Sequence, residues 1–458
     1  MEELFEQLQD DTQSFWQSTS SGVRRLDEMP SPAEFFRDYV ATSTPVIISS
    51  GGTEASSHAC LKPGRGCSFT WGDVSSLARR SGLDDELEVT VDFTPDGRGD
   101  CVVEVTRSMM STNSSGGVKP GGDSSNGDRR GESGFPRDGT GAAAVASGGE
   151  GMGARGRGDE GGEPIAGAAT AVFVKPEERR MKFDAFLAML SETAASSPDH
   201  GGSSTYPRGG SGDNAGGGDG VPYLSHQNDS LRQEFPGLMA DVEPSLALAR
   251  ETFGNEPDAV NLWIGDDRSQ SAVHKDHYEN MYCVLRGEKH FTLLPPSDVL
   301  FLYEEEYPQG RYRRAKGGGA GFEVVMEEGT VPWIPVDPAC PDLDKYPLFR
   351  HASPVRCRVG PGDILYLPAL WYHRVSQRGI TVAVNYWHDM QFDHKYVYYR
   401  FLQTLATVYQ KKGFILPAGE TGAQAEAFVE TGAPQQPGVP VKKTGKDYDD
   451  AGISSDLR

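Results

Sequence analysis

The residues with the most chemical potential lie in Ser271–Asn280, SAVHKDHYEN. His274 and Asp276 stand two apart, and on a strand residues i and i+2 project from the same face, so both reach toward one ion. Two side chains on one strand cannot complete a facial ligand set, so a third has to come from elsewhere in the fold. Two imidazoles and one carboxylate, with positions left open for an oxidant and a co-substrate, form the arrangement of non-heme Fe(II) oxygenases. The spacing alone is not selective. With 10 His and 66 acidic residues in the chain, His277-Tyr278-Glu279 repeats the same pattern. On a strand that pair faces the opposite side, and either pair is also consistent with a merely polar strand edge.

Such groups need rigid elements to hold them, and the chain supplies these from Val221 onward. VPYLS around Tyr223 is strand-like, and Val260, Leu262 and Ile264 alternate in a strand that ends at Gly265. Tyr282–Leu285 and Lys289–Leu294 are expected to pair as a hairpin, with Arg286-Gly287-Glu288 at its turn. Pro361-Gly362-Asp363 is a turn into Ile364-Leu365-Tyr366-Leu367, and Thr381–Trp387 is a further strand. Many short strands with turn chemistry between them predict an all-β barrel or sandwich core. After it Val397, Phe401, Leu405 and Val408 repeat at helical spacing, as a packing or dimer face.

The N-terminal third carries helix and strand signals of its own. Ser31-Pro32-Ala33-Glu34 reads as a capping box with Pro at the first helical position. Phe35, Phe36, Tyr39 and Val40 follow as an apolar face, and Pro45-Val46-Ile47-Ile48 reads as a short buried strand. Val89, Val91 and Phe93 alternate with Thr90 and Asp92, and Phe183, Phe186, Leu187 and Leu190 mark a second helix. Between these lie segments of another texture. Residues 111–170 hold 18 Gly in 60, and residues 201–220 hold 9 in 20. Such stretches bury too little apolar surface to offset their ordering entropy. The resulting organisation is an N-terminal helical and β extension (1–106), a disordered insert (107–170), a helical segment (171–197) and a second insert (198–220). A catalytic core (221–394), a C-terminal helix (395–413) and a disordered tail (414–458) complete it.

Several separated runs resemble, in order, the JmjC hydroxylases. They are NLWIGDDRSQSAVHKDHYENMYCVLRGEKHFTLLPPSD (261–298), VPWIPVDP (331–338), GDILYLPALWYHRV (362–375) and VAVNYWHDM (382–390). LDEMPSPAEFFRDYV (26–40) and FVKPEERRMKFDAFLAML (173–190) resemble the family as well. The resemblance implies a mainly β fold with flanking helices around a double-stranded β-helix (cupin or jelly-roll) core. It implies that His274, Asp276 and His373 are the iron ligands, with His373 at the end of the strand that follows Pro361-Gly362-Asp363. It places Lys289 on the distal carboxylate of 2-oxoglutarate, with Tyr223 donating to the same carboxylate. Asn280 and Asn385 line the co-substrate pocket, and Tyr282 and Trp387 form its aromatic wall. Ser271 stands where such enzymes often have Thr and keeps the hydroxyl. Fe(II), 2-oxoglutarate and O2 are then the reactants, and a lysine side chain of a protein, with GTPases as precedent, is the acceptor. Histone lysine demethylation, peptidase action on modified histone tails and a non-catalytic cupin-type binding module are the alternatives.

The bulk composition narrows the partners. A formal net charge of -22 argues against nonspecific nucleic-acid or anionic-membrane binding. The six cysteines, Cys60, Cys67, Cys101, Cys283, Cys340 and Cys357, form no C-x-x-C pair, so a thiolate zinc knuckle is not expected and a reducing compartment is. The start, MEELFEQLQDDTQ, has no signal-peptide pattern, and no run of 18 apolar residues occurs. A location in the cytoplasm, extending to the nucleus, follows as an expectation, with a protein substrate and a homodimer as the expected partners.

Overall fold

The computed structural model describes residues 2–16, 22–49, 60–62, 77, 87–110, 169–196, 219–315 and 321–411. The expected disordered inserts fall outside these residues except at their edges, and the tail from 414 falls outside entirely. At those edges the structure adds order: Met110 bridges to Val324, and a strand already begins at Thr170.

Among the described residues sixteen strands follow one another: β1 (Arg24–Leu26), β2 (Val46–Ser49), β3 (Glu88–Thr94), β4 (Arg98–Gly99), β5 (Cys101–Val105), β6 (Thr170–Lys175), β7 (Glu177–Lys182) and β8 (Val221–Tyr223). Then come β9 (Ala259–Gly265), β10 (Gln270–Ser271), β11 (Tyr278–Leu294), β12 (Glu305–Arg314), β13 (Phe322–Trp333), β14 (Val355–Val359), β15 (Asp363–Leu367) and β16 (Tyr372–Asp389). The helices are α1 (Glu2–Trp16), α2 (Pro32–Phe35), α3 (Phe183–Ser196), α4 (Ser230–Gln233), α5 (Ala247–Phe253) and α6 (His394–Lys411). None is long and apolar enough to cross a membrane.

The largest sheet runs β1-β2-β15-β11-β16-β9, with β14 also on β11. Its two faces do different work because successive side chains alternate. Met281 and Cys283 of β11, Val384 and Tyr386 of β16, and Leu262 and Ile264 of β9 pack under Phe35 of α2 and Phe183, Phe186, Leu187 and Leu190 of α3. Tyr282, Val284, Phe291 and Leu293 of β11 turn the other way, with Leu365, Leu367, Trp371 and Ala383. That inner face carries the polar residues discussed below. A smaller sheet, β13-β12-β6-β5, contributes Trp333.

Several expectations hold. Ser31 and Glu34 form a reciprocal capping box. Val89, Val91 and Phe93 are buried along β3, and the helix-spaced phenylalanines and leucines of α3 are buried. Two expectations do not hold. First, there is no hairpin at Arg286-Gly287-Glu288: β11 runs unbroken for 17 residues, and the register against β16 slips on either side of Arg286. Gly287, at φ +70°, supplies a bulge rather than a turn, and a Cβ there would lie 2.4 Å from Thr381 Cγ2. The residue type is the same for both, which is why the sequence misleads. Second, the segment 171–197 opens with two strands, β6 and β7, and is helical only from Phe183. In addition, β5 pairs antiparallel with β6, Cys101 opposite Val174, so the strands on either side of the first insert are neighbours in one sheet.

Candidate metal centre

His274, Asp276 and His373 each offer a ligand atom, and these atoms lie within 4.8 Å of one another. The backbone creates this meeting. His274 and His373 exchange both main-chain hydrogen bonds, 3.1 and 2.8 Å, as an isolated antiparallel bridge. The Asp276 carbonyl accepts from Leu370 N at 2.9 Å, which ties the next turn down. Only part of the strand argument survives, since His274 sits in this bridge and Asp276 in the loop after it. His373 is also not at the end of the strand after Pro361-Gly362-Asp363. That strand, β15, stops at Leu367, and His373 is the second residue of β16. The His277-Glu279 pair points elsewhere: the Glu279 carboxylate accepts from Tyr366 Oη at 2.7 Å and from Ala369 N at 3.3 Å.

Both imidazoles are aimed. His274 Nδ1 lies 2.9 Å from the Ala272 carbonyl and His373 Nδ1 lies 3.0 Å from the Trp371 carbonyl. With Nδ1–H donating, each ring presents the Nε2 lone pair to the shared centre, as metal-ligating histidines do. Burial and the neighbouring His274 ring lower His373 to about 4, so the imidazole is neutral and free to ligate at physiological pH. Trp333 lies parallel to His274, 7° between planes at 6.3 Å, and shields its outer side. Two imidazoles oriented by their second nitrogens, with a carboxylate, fit a divalent metal of the 2-His-1-carboxylate kind.

Four positions further along β16 the interior becomes cationic. Lys289, on β11 opposite Gln377, is 1% exposed. Its ammonium donates to Tyr223 Oη at 3.0 Å and to Gln377 Oε1, and among the described residues it has no carboxylate partner. Desolvation lowers it to about 7. A buried ammonium bonded to neutral oxygens is costly to desolvate, and a carboxylate-bearing co-substrate fits beside it as its charge partner. Gln377 accepts from Thr381 Oγ1 and donates to the Asp266 carbonyl at 2.7 Å. Gly265 makes room for the cluster: a Cβ there would come within 2.6 Å of Gln377 Nε2 and of Tyr223 Cδ2.

The other sequence-derived residues lie on the same inner face. Asn385 Nδ2 donates to Asn280 Oδ1 at 3.1 Å, and Asn385 Oδ1 accepts from Trp263 Nε1 at 2.8 Å. Asn280 shares a small cleft with Asp276, Tyr278, Trp371 and His373. Tyr282 packs edge-on to Phe291 at 5.2 Å, as part of the wall. Trp387 stacks on Tyr278, 3° between planes at 4.8 Å. Ser271 Oγ accepts from Val375 N at 3.0 Å, so its hydroxyl is pinned to β16 beside the site. Gln377, Thr381, Gly265 and Trp333 were missed. Gln377 was readable in principle, because it lies four residues beyond His373 on the same strand face.

A family profile for the cupin-like domain matches residues 32–394. The chain belongs to that family. Within it, this cupin-like chain is 47% identical over 188 residues to the human bifunctional peptidase and (3S)-lysyl hydroxylase JMJD7, covering 41% of this chain and 59% of that protein. It is 48% identical over 198 residues to the Arabidopsis thaliana lysine-specific demethylase JMJ32, covering 40% and 57%. It is 37% identical over 261 residues to JmjC domain-containing protein E of Dictyostelium discoideum, covering 53% and 68%. The matches thus span a little under three fifths of the human and Arabidopsis relatives. The mainly β architecture and the JmjC-type cupin assignment agree with the resemblance seen in the separated motifs.

Proposed function

We propose that this protein is an Fe(II)- and 2-oxoglutarate-dependent hydroxylase acting on a lysine side chain of a protein. The observation that carries the reading is the His274–Asp276–His373 cluster together with a buried ammonium, opposite a residue four positions from His373 on β16, that has no carboxylate partner among the described residues. Iron with 2-oxoglutarate and O2 supplies the oxidising power to hydroxylate an unactivated C–H bond. The chain's own residues do the rest. His274, Asp276 and His373 would hold the metal. Lys289 and Tyr223 receive the far carboxylate, and Gln377 and Thr381 hold the ammonium in place. Asn280 and Asn385 present amides to the space between, while Tyr282, Phe291 and Leu293 keep it dry.

The cleft at Asp276 and Tyr278 is the substrate entrance. Its rim suits a cationic side chain: Tyr278 Oη donates to Asp258 at 3.3 Å, Asp389 adds a second negative charge, and the Tyr278–Trp387 stack offers aromatic faces. The human relative's name supports lysyl hydroxylation. The Arabidopsis relative's name supports demethylation by the same centre, since hydroxylating an N-methyl carbon releases the methyl group.

Incubating the full chain with Fe(II), 2-oxoglutarate, ascorbate and lysine-containing protein substrates, with and without N-methylation, separates the readings. The proposal expects succinate and the mass gain of one oxygen on unmethylated lysine. Loss of a methyl group favours the demethylase. Cleaved fragments without 2-oxoglutarate favour a peptidase. No metal binding at all overturns the catalytic reading and leaves a binding module.

A further inference from the structure

Lys275 stands between two ligands of the cluster, yet its ammonium points away from the metal. It is 3.2 Å from Glu304 Oε1 and 3.4 Å from Oε2, and it lies over the rings of Tyr372 (5.3 Å) and Tyr399 (5.7 Å). Glu304 also accepts from Gln403 Nε2 at 3.1 and 3.2 Å, and Tyr372 and Tyr399 share a hydroxyl contact at 3.1 Å. The side chains of Lys275 and Glu304 are 14% and 10% exposed, so the pair is largely out of water. Tyr399 and Gln403 belong to α6. Tyr372 is the residue before His373.

The same helix reaches the centre by a second route. Lys395, in its first turn, donates to Ser43 Oγ at 3.1 Å and to the Val40 carbonyl at 3.2 Å. The Ser43 carbonyl accepts from Trp371 Nε1 at 2.8 Å, and the Trp371 carbonyl accepts from His373 Nδ1. Thus α6 touches the immediate neighbours of all three ligands. Asp276 sits in a loop and His274 in an isolated bridge, so their backbone is held by the two bonds to His373 and the Leu370 N bond to the Asp276 carbonyl and not by a regular ladder.

We infer that α6 is a brace for the metal centre, with Lys275, Glu304 and Lys395 as positioning residues that set the ligands' geometry without touching the metal. The inference rests on the metal reading above, and its test separates the two. Co(II) is the probe, read by its visible absorption and by titration of the full-length chain, alongside the unfolding midpoint of the metal-free protein. Wild-type protein that binds no Co(II) overturns the metal centre itself, and the brace with it. If wild type binds, Glu304→Gln and Lys395→Met are each expected to weaken Co(II) binding by about tenfold or more, the range found when groups that orient metal ligands are removed. Each is also expected to shift the Co(II) spectrum, and Lys275→Arg, which keeps the charge, is expected to retain most of the affinity. Variants that lose thermal stability while keeping wild-type affinity and spectrum overturn the brace, because a purely structural role predicts that result. If Glu304→Gln does not fold, Tyr399→Phe, which removes one hydroxyl from the same cluster, carries the same readouts.

Discussion

Replacing Lys289 by Met tests whether the buried ammonium is kept for binding rather than for folding. Burial lowers Lys289 from 10.5 to about 7, with desolvation as its cause. At 1.36 kcal/mol per pH unit, about three and a half units correspond to about 5 kcal/mol of cost for housing the charge. Met has similar length and a flexible thioether that fills the same space. The substitution removes the donor to Tyr223 Oη, which costs about 1–2 kcal/mol, while Gln377 Oε1 keeps Thr381 as a partner. The expected net gain for protein free of metal and co-substrate is about 3 kcal/mol at pH 6.5. The sign follows from proton counting. Below pH 7 the lysine is charged in both folded and unfolded chains, so the full cost is borne. Between about 7 and 10.5 the folded chain has released its proton and the unfolded chain has not, so wild-type stability rises with pH. By pH 9 wild type recovers about 2.7 kcal/mol, two units' worth, and the variant's advantage nearly vanishes. Denaturant titrations at the two pH values measure this, and equilibrium binding of 2-oxoglutarate is expected to be lost at both. A variant less stable than wild type by the same amount at pH 6.5 and 9 would refute the reasoning, because hydrogen bonding and not charge burial would then dominate.

Further outcomes follow from the same geometry. In wild type, a bound carboxylate holds Lys289 protonated, so 2-oxoglutarate affinity should fall about tenfold per pH unit as pH rises above 7, measured by isothermal titration. Gly265→Ala should crowd Gln377 and Tyr223; overpacking of about 1–3 kcal/mol weakens 2-oxoglutarate binding roughly ten- to hundredfold, with metal affinity unchanged. Asp276→Ala and His373→Ala should abolish metal binding, read by equilibrium dialysis, whereas His277→Ala should leave it intact. Loss of metal in the His277 variant would mean that the wrong His-x-acid pair has been chosen.

The candidate metal cluster was legible because a motif carries it, and the path of the backbone was not. The pattern His274-x-Asp276 looks like strand spacing, yet the pair is held by one β-bridge to His373 and by a turn anchored on Leu370 N. Alternation along one segment cannot reveal a contact made a hundred residues later. Gly287 illustrates the same limit. A positive-φ glycine between two apolar runs serves a hairpin turn or a bulge equally well, and only the partner strand decides. Here β16 runs the full length of β11 and fixes it as one bent strand. Where the pairing is regular it spaces the site: Leu293 stands opposite His373 and Lys289 opposite Gln377, so the candidate ligand and the buried ammonium are four residues apart on both strands, with the Gly287 bulge outside that interval.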